Sequence, residues 1–139
     1  MNRETLCADL RSGDCLPTVS FIPAGLPGAI DTEQYAFDPE SALQALAESS
    51  YRGPDALPEI KLYYNSDYEE RSQQSEWLAG EIRDILGVTL TIEPMEGAAL
   101  TALRKDPTTH PQLLYFDSWR QDYPDPRTGS VRSGRATPA

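Results

Sequence analysis

The side chains best suited to binding or catalysis are gathered in one short segment, residues 119–126, which reads WRQDYPDP. Asp122 and Asp125 are three positions apart and could act as an acid–base pair, as paired carboxylates do in glycoside hydrolysis. Pro124 between them favours a turn instead, where aspartates are common. Trp119 could line an apolar pocket or cover the core, and Asp122 could bind a cationic ligand group through a charge-assisted hydrogen bond.

Little else in the chain suggests catalysis. The sequence contains no nucleophile elbow, phosphate-binding loop or zinc-protease motif. The single histidine, His110, lies in a Thr-Thr-His-Pro loop, where we expect it to be solvated. Cys7 and Cys15, with one histidine, are too few for a zinc site; they either pair in an oxidising compartment or remain thiols. We therefore expect no enzyme activity, no metal and no cofactor.

The charge of the chain argues against two classes of partner. The formal net charge is −10; residues 127–139 contribute three arginines and no acid, which leaves −13 on residues 1–126. Nucleic acids and anionic membranes need basic surfaces, so neither is an expected partner. No apolar run reaches the roughly 18 residues of a membrane span, and the first residues do not resemble a signal peptide. We expect either a cytoplasmic protein or a piece of a longer one.

The hydrophobic pattern predicts an alternation of helices and strands. Helices are predicted over residues 2–11, 38–49, 66–87 and 96–105, and strands over residues 59–65, 88–94 and 113–119. The strand–helix–strand–helix–strand order after residue 59 predicts an α/β fold, a βαβαβ unit with a parallel or mixed sheet flanked by helices. Ligands of such sheets bind beyond the carboxyl ends of the strands, which is where residues 119–126 follow the last strand.

Local signals predict where the helices begin and which sides face inward. Asp38 should cap the second helix, and Ser66 or Asp67 should cap the long helix that Gly87 ends. In the first strand, Ile60, Leu62 and Tyr64 should share the buried side. The predicted inward residues of the last two helices are Ser75, Leu78, Ala79, Ile82, Ile85, Leu86, Ala99, Leu100 and Leu103.

Two segments lack a regular pattern. Residues 16–31 form an apolar, proline-rich loop in which Val19, Phe21, Ile22 and Leu26 favour burial. Residues 127–139 are rich in small and polar residues and are predicted to be a disordered tail, which leaves residues 1–126 as the folded part.

Several stretches, in order and with natural spacing, resemble the extracellular solute-binding proteins of family 5, the oligopeptide and dipeptide binding proteins of ABC importers. The stretches are PTVSFIPAGLPGAI (17–30), YAFDPESALQALAESSYRG (35–53), IKLYYN (60–65), WLAGEIRDILGVTLTIEPME (77–96) and FDSWRQDYPDP (116–126). The resemblance implies one lobe of a periplasmic-binding-protein type II-like fold, a partial C-terminal lobe whose first lobe is absent. It also implies an extracytoplasmic parent protein that delivers peptides to a membrane permease.

The resemblance also implies a role for the WRQDYPDP segment. In peptide-binding members, an aspartate three residues after a strand-end tryptophan holds the α-ammonium group of the peptide; here the matching pair is Trp119 and Asp122. Tyr123 is a weaker candidate for lining the site. Other members bind nickel, sugars or opines, so the ligand stays open. The alternatives are a hydrolase that uses Asp122 and Asp125, and an interaction domain without a ligand, which could dimerise through residues 16–30.

Overall fold

The computed structural model describes residues 1–17, 22, 26–30, 36–109 and 111–114. Two compact units divide the chain: residues 1–2 with 38–117, and residues 3–37 with 118–139. Within the described residues, the elements in chain order are α1 (Arg3–Arg11), α2 (Pro39–Glu48), a 3₁₀ helix (Pro54–Ala56), β1 (Ile60–Asn65), α3 (Glu69–Leu86), β2 (Leu90–Met95), α4 (Gly97–Lys105) and β3 (Leu113–Leu114).

The three strands form a parallel sheet in the order β2-β1-β3. The register pairs Ile60 with Leu90 on one side of β1, and Leu62 with Leu113 on the other. α3 connects β1 to β2, and α4 connects β2 to β3, so each helix is a crossover between parallel strands. The predicted α/β class and the parallel βαβαβ unit are therefore confirmed.

The core lies between one side of the sheet and α3. Leu62, which is 1% exposed, is buried with Val88 and Leu90. Tyr64, two positions after Leu62, donates a hydrogen bond from its hydroxyl to Ser72 Oγ of α3 at 3.2 Å. This confirms the predicted buried side of β1. The partly buried residues around this cluster are Leu46, Leu57, Ile60, Leu78, Ala79, Ile82 and Leu86.

The ends of two helices follow their local sequence. Asp38 caps α2 as predicted, since its carboxylate accepts hydrogen bonds from Ser41 N at 3.0 Å and from Ser41 Oγ at 2.6 Å. Pro39 occupies the first turn, where the absence of an N–H costs nothing. Gly87 ends α3 in the left-handed conformation, with φ +69°, and donates to Arg83 O at 2.8 Å.

Two predictions about the helices need correction, and the last predicted strand is described only in part. α3 begins at Glu69 rather than 66; its N-cap is Tyr68, and no side chain accepts a capping hydrogen bond there. Ala99, predicted to face inward, is exposed, whereas Leu100 of the same helix is buried. Of the predicted strand 113–119, the structure shows Leu113–Leu114 in β3, and residues 115–119 lie outside the described part of the chain.

The other unit contains α1 and the turn that follows it. Ser12 and Gly13 both have positive φ, and Gly13 N donates to Cys7 O at 3.0 Å, so the chain reverses at the end of the helix. Cys7 and Cys15 form a disulfide across this turn, with 5.8 Å between their Cα atoms. Of the apolar loop, Leu16 is exposed and Ile22 and Leu26 are half-buried, whereas Val19 and Phe21 lie outside the described residues.

Candidate functional site

The carboxyl edge of the sheet is the candidate site because the strands are parallel and end on the same side. Asn65 ends β1 and is paired in register with Met95, which ends β2. β3 runs in the same direction beside β1, so its carboxyl end points toward the same edge of the sheet. Open parallel sheets bind ligands at this end. The predicted site residues Trp119, Asp122 and Tyr123 lie outside the described residues.

Hydrogen bonds join the loops that follow β1 and β2. Asp67 Oδ2 accepts from the backbone N–H of Gly97, the first residue of α4, at 3.1 Å. The backbone N–H of Asp67 donates to Asn65 Oδ1 at 2.9 Å, and Ser66 N donates to Met95 O at 2.9 Å. Asp67 was predicted as a possible cap for α3, but its carboxylate instead caps α4. Two strand ends are thus held together by one short loop.

Gly97 is needed at this junction for a steric reason. A Cβ atom on Gly97 would lie 2.6 Å from Asp67 Oδ2 and 2.9 Å from Asn65 Nδ2. These separations are shorter than van der Waals contact, so any side chain here would push the capping carboxylate away. The glycine therefore permits the close approach of the β1 loop to α4.

The loops at this edge carry acidic side chains. Residues 65–70 and 95–99 contain Asp67, Glu69, Glu70 and Glu96 and no lysine or arginine. All four acidic residues are exposed. The described part of the edge therefore presents negative charge to solvent, which favours cationic groups over phosphates or carboxylates.

The first half of α3 buries polar side chains that the sequence pattern largely missed. Arg71 is 8%, Gln74 4% and Ser75 0% exposed, but only Ser75 was predicted to face inward. Gln74 and Ser75 stand four and three positions before the inward-facing Leu78, so helical spacing could have identified them. The inward-facing side of α3 is therefore polar beside the carboxyl edge of the sheet and apolar farther along the helix.

A groove of about 300 Å³ lies along the outer side of β2, away from this edge. Its lining residues come from the middle of α3, from the first half of β2 and from the residue just before β2: Glu76, Ala79, Gly80, Arg83, Leu90, Ile92 and Thr89. Its position at the flank of an edge strand separates it from the candidate site.

Metal-binding and membrane-spanning features were also sought in the described ranges. No group of three or more His, Cys, Asp or Glu side chains there could hold a metal ion. Among the helices that the structure describes, none combines the length and the apolar character that a membrane crossing requires. His110 lies outside these ranges.

The architecture defines the class of the protein. A parallel βαβαβ sheet flanked by crossover helices, with loops gathered at its carboxyl edge, is an α/β architecture that binds ligands beyond the ends of its strands. The family model for bacterial extracellular solute-binding proteins, family 5 (middle region), matches residues 1–138. The chain therefore belongs to family 5 of the bacterial extracellular solute-binding proteins, as its sequence resemblance predicted.

A solved structure supports the fold. The chain is similar to a periplasmic oligopeptide-binding protein of an oligopeptide ABC transporter from Borrelia burgdorferi, with a TM-score of 0.79 and 22% identical residues. The similarity covers 93% of this chain but only 25% of that protein. This chain thus corresponds to about a quarter of the length of the protein it resembles. No curated protein matches the sequence.

Proposed function

We propose that this chain forms part of the ligand-binding lobe of an ABC-importer solute-binding protein, which captures peptides or similar small solutes for transport. Membership of family 5 supports the general role. The observation that carries the proposal is the parallel pairing of β1 with β3, because it directs β3 toward the carboxyl edge of the sheet, the edge at which open parallel sheets bind ligands. The activity is binding and not catalysis.

In this proposal, Asp122 neutralises the α-ammonium group of the peptide, while Trp119 packs beside the ligand and Tyr123 lines the site. The family resemblance of the WRQDYPDP segment supports these roles. The acidic loops at residues 65–70 and 95–99 also support a positively charged ligand group, since their negative charge favours a cation near them.

The proposal extends to partners outside this chain. A second lobe would close over the ligand, and a membrane permease would receive it on the extracytoplasmic side. The name of the similar Borrelia protein, an oligopeptide-binding protein of an ABC transporter, supports this arrangement. Because one lobe offers only part of the contact surface, the chain alone should bind peptides weakly, with a Kd on the order of millimolar.

A titration of the ¹⁵N-labelled chain followed by NMR tests the proposal. Trialanine is compared with N-acetyl-trialanine, which lacks the ammonium group, and Asp122→Asn is compared with the matched control Asp125→Asn. We expect Asp122→Asn to weaken trialanine binding about tenfold, as for a lost charge-assisted hydrogen bond, and Asp125→Asn to leave it unchanged. Equal binding of the acetylated and free peptides would contradict the role of Asp122, and the absence of any binding would contradict the proposed function.

A further inference from the structure

The register of β3 reveals a break in its pairing with β1. Leu113 stands opposite Leu62 and Leu114 opposite Tyr63. Continued backwards by two residues, this register puts Pro111 opposite Ile60. In a parallel ladder, every second residue of a strand bonds through its N–H and its C=O to the two neighbours of the residue opposite it. The backbone of Pro111 would therefore have to bond to residues 59 and 61, but proline has no N–H to donate.

The side chain of Gln112 forms the two hydrogen bonds that this position calls for. Its Nε2 donates to Glu59 O at 3.1 Å, and its Oε1 accepts from Lys61 N at 2.8 Å. Both distances are those of good hydrogen bonds. A side-chain amide carries one donor and one acceptor side by side, like a peptide group, so it can extend a ladder where the backbone cannot.

We propose that Gln112 is a positioning residue, which fixes the register of β3 and hence the point from which the chain continues toward Trp119 and Asp122. The inference rests on the proposed function, because it assigns Gln112 to the support of that ligand-binding segment. β3 contributes only two residues to the described sheet. The two hydrogen bonds of the Gln112 side chain are therefore a large part of the described hydrogen bonding between β3 and β1. A slip by one residue would shift the following chain by about 3.3 Å and turn every side chain to the opposite face.

Three variants separate this role from a general contribution to folding. Gln112→Ala removes both hydrogen bonds, and Gln112→Glu removes the donor while it keeps the size of the side chain. The double variant Pro111→Ala with Gln112→Ala restores a backbone N–H opposite Ile60. We expect the amide hydrogen of Lys61 to exchange about fivefold faster in Gln112→Ala and to return toward the wild-type rate in the double variant. Gln112→Glu keeps the acceptor of the Lys61 N–H and loses only the bond to Glu59 O, so it should change Lys61 exchange less than Gln112→Ala does.

The indole N–H resonance of Trp119 reports the position of the following segment without any ligand, and that of Trp77 on α3 serves as the internal reference. Gln112→Ala should move the Trp119 resonance but not the Trp77 resonance, and the double variant should reverse the change. Trialanine binding should weaken about threefold in Gln112→Ala and recover in the double variant.

The possible failures are distinguishable. Unchanged Lys61 exchange, or an unmoved Trp119 resonance, in Gln112→Ala would overturn the positioning role whatever the ligand does. A faster Lys61 exchange with the Trp119 shift, but no trialanine binding by any variant, would overturn the proposed function and confirm that Gln112 sets the register. Failure of Pro111→Ala to restore slow exchange would show that Gln112 does not substitute for a peptide group, which would also overturn the inference.

Discussion

Asp67, in the loop after β1, accepts a hydrogen bond from the backbone N–H of Gly97, at the start of the helix after β2, at 3.1 Å. The carboxylate thus satisfies a donor that α4 cannot satisfy internally, and its negative charge lies at the positive end of the helix. The same bond ties together two loops at the carboxyl edge of the sheet. Its loss should therefore affect both the stability of the fold and the rigidity of that edge.

Substitution of Asp67 tests this link directly. Asp67→Ala should lower the free energy of unfolding by about 1 kcal/mol, the usual cost of removing a capping side chain, and Asp67→Asn should cost less because it keeps an acceptor. Urea unfolding followed by circular dichroism measures both. Asp84→Ala is the matched control, since that carboxylate is 71% exposed and pairs with its neighbour Arg83; its effect should stay within about 0.5 kcal/mol.

Gly97→Ala should destabilise the protein by about 1 kcal/mol although alanine favours helices, because the new Cβ would lie 2.6 Å from Asp67 Oδ2. In the Asp67→Ala background the closer obstruction is gone and Asn65 Nδ2, at 2.9 Å, remains, so the same change should cost clearly less than in the wild-type chain. The matched control is Gly80→Ala in α3, whose Cβ would meet only Arg83 Nη2 at 4.0 Å. That change should stabilise the protein by up to about 1 kcal/mol. A purely additive double-mutant cycle would rule out the steric explanation.

Leu62 is the most buried apolar side chain of the described sheet, at 1% exposure. Leu62→Ala should cost about 2–5 kcal/mol, since it leaves a cavity between β1 and α3. Leu43→Ala on α2 removes the same atoms from a side chain that is 46% exposed, and it should cost about 1 kcal/mol or less. Chemical denaturation of both variants measures the two losses in the free energy of unfolding. Similar losses would contradict a core centred on Leu62.

The cap of α2 predicts a dependence on pH. The hydrogen bond from Ser41 Oγ, followed by that from Ser41 N, holds the pKa of Asp38 below its ordinary value. A lowered folded pKa means that the cap contributes stability above the unfolded pKa, and that this contribution is lost as pH falls through the folded pKa. Ser41→Ala removes the largest cause, so the pKa of Asp38 should rise toward its ordinary value.

The titration of the Asp38 carboxyl carbon by NMR measures this shift. Gln44→Ala is the control, because the Gln44 amide bonds to Glu48 Oε1 at 2.7 Å, near the other end of the helix. It should leave the titration of Asp38 unchanged. If Ser41→Ala also left it unchanged, the hydroxyl would not be the cause of the lowered pKa.

The sequence predicted those features that depend on local periodicity. The alternation around Leu62 predicts a strand with one buried side, and the order of elements predicts a parallel or mixed sheet. The roles of Asp38 as the N-cap of α2 and of Gly87 at the end of α3 are predictable because each residue acts on the helix next to it in the sequence. The pairing of Cys7 with Cys15 stayed open, because the sequence does not state the distance between two thiols.

The features that the sequence did not predict depend on contacts between distant segments. Asp67 stands directly before α3, so local rules assigned it to that helix, whereas its partner Gly97 is 30 positions away. The substitution of a peptide group by Gln112 follows from strand register, which no local pattern contains. The roles of Trp119 and Asp122 rest on family resemblance and remain predictions.

The disulfide should hold the end of α1 in place. Closing a loop with a sequence separation of 8 removes freedom from the unfolded segment, and the chain-entropy relation gives a stabilisation of roughly 2.5 kcal/mol. Reduction with a phosphine should therefore speed amide exchange in residues 6–10 of α1, while the Leu62 amide in the other unit serves as the control. Hydrogen exchange followed by NMR on the oxidised and reduced chain measures both. Equal exchange of α1 in the two states would show that the Schellman-type turn at Gly13, and not the disulfide, holds the helix end.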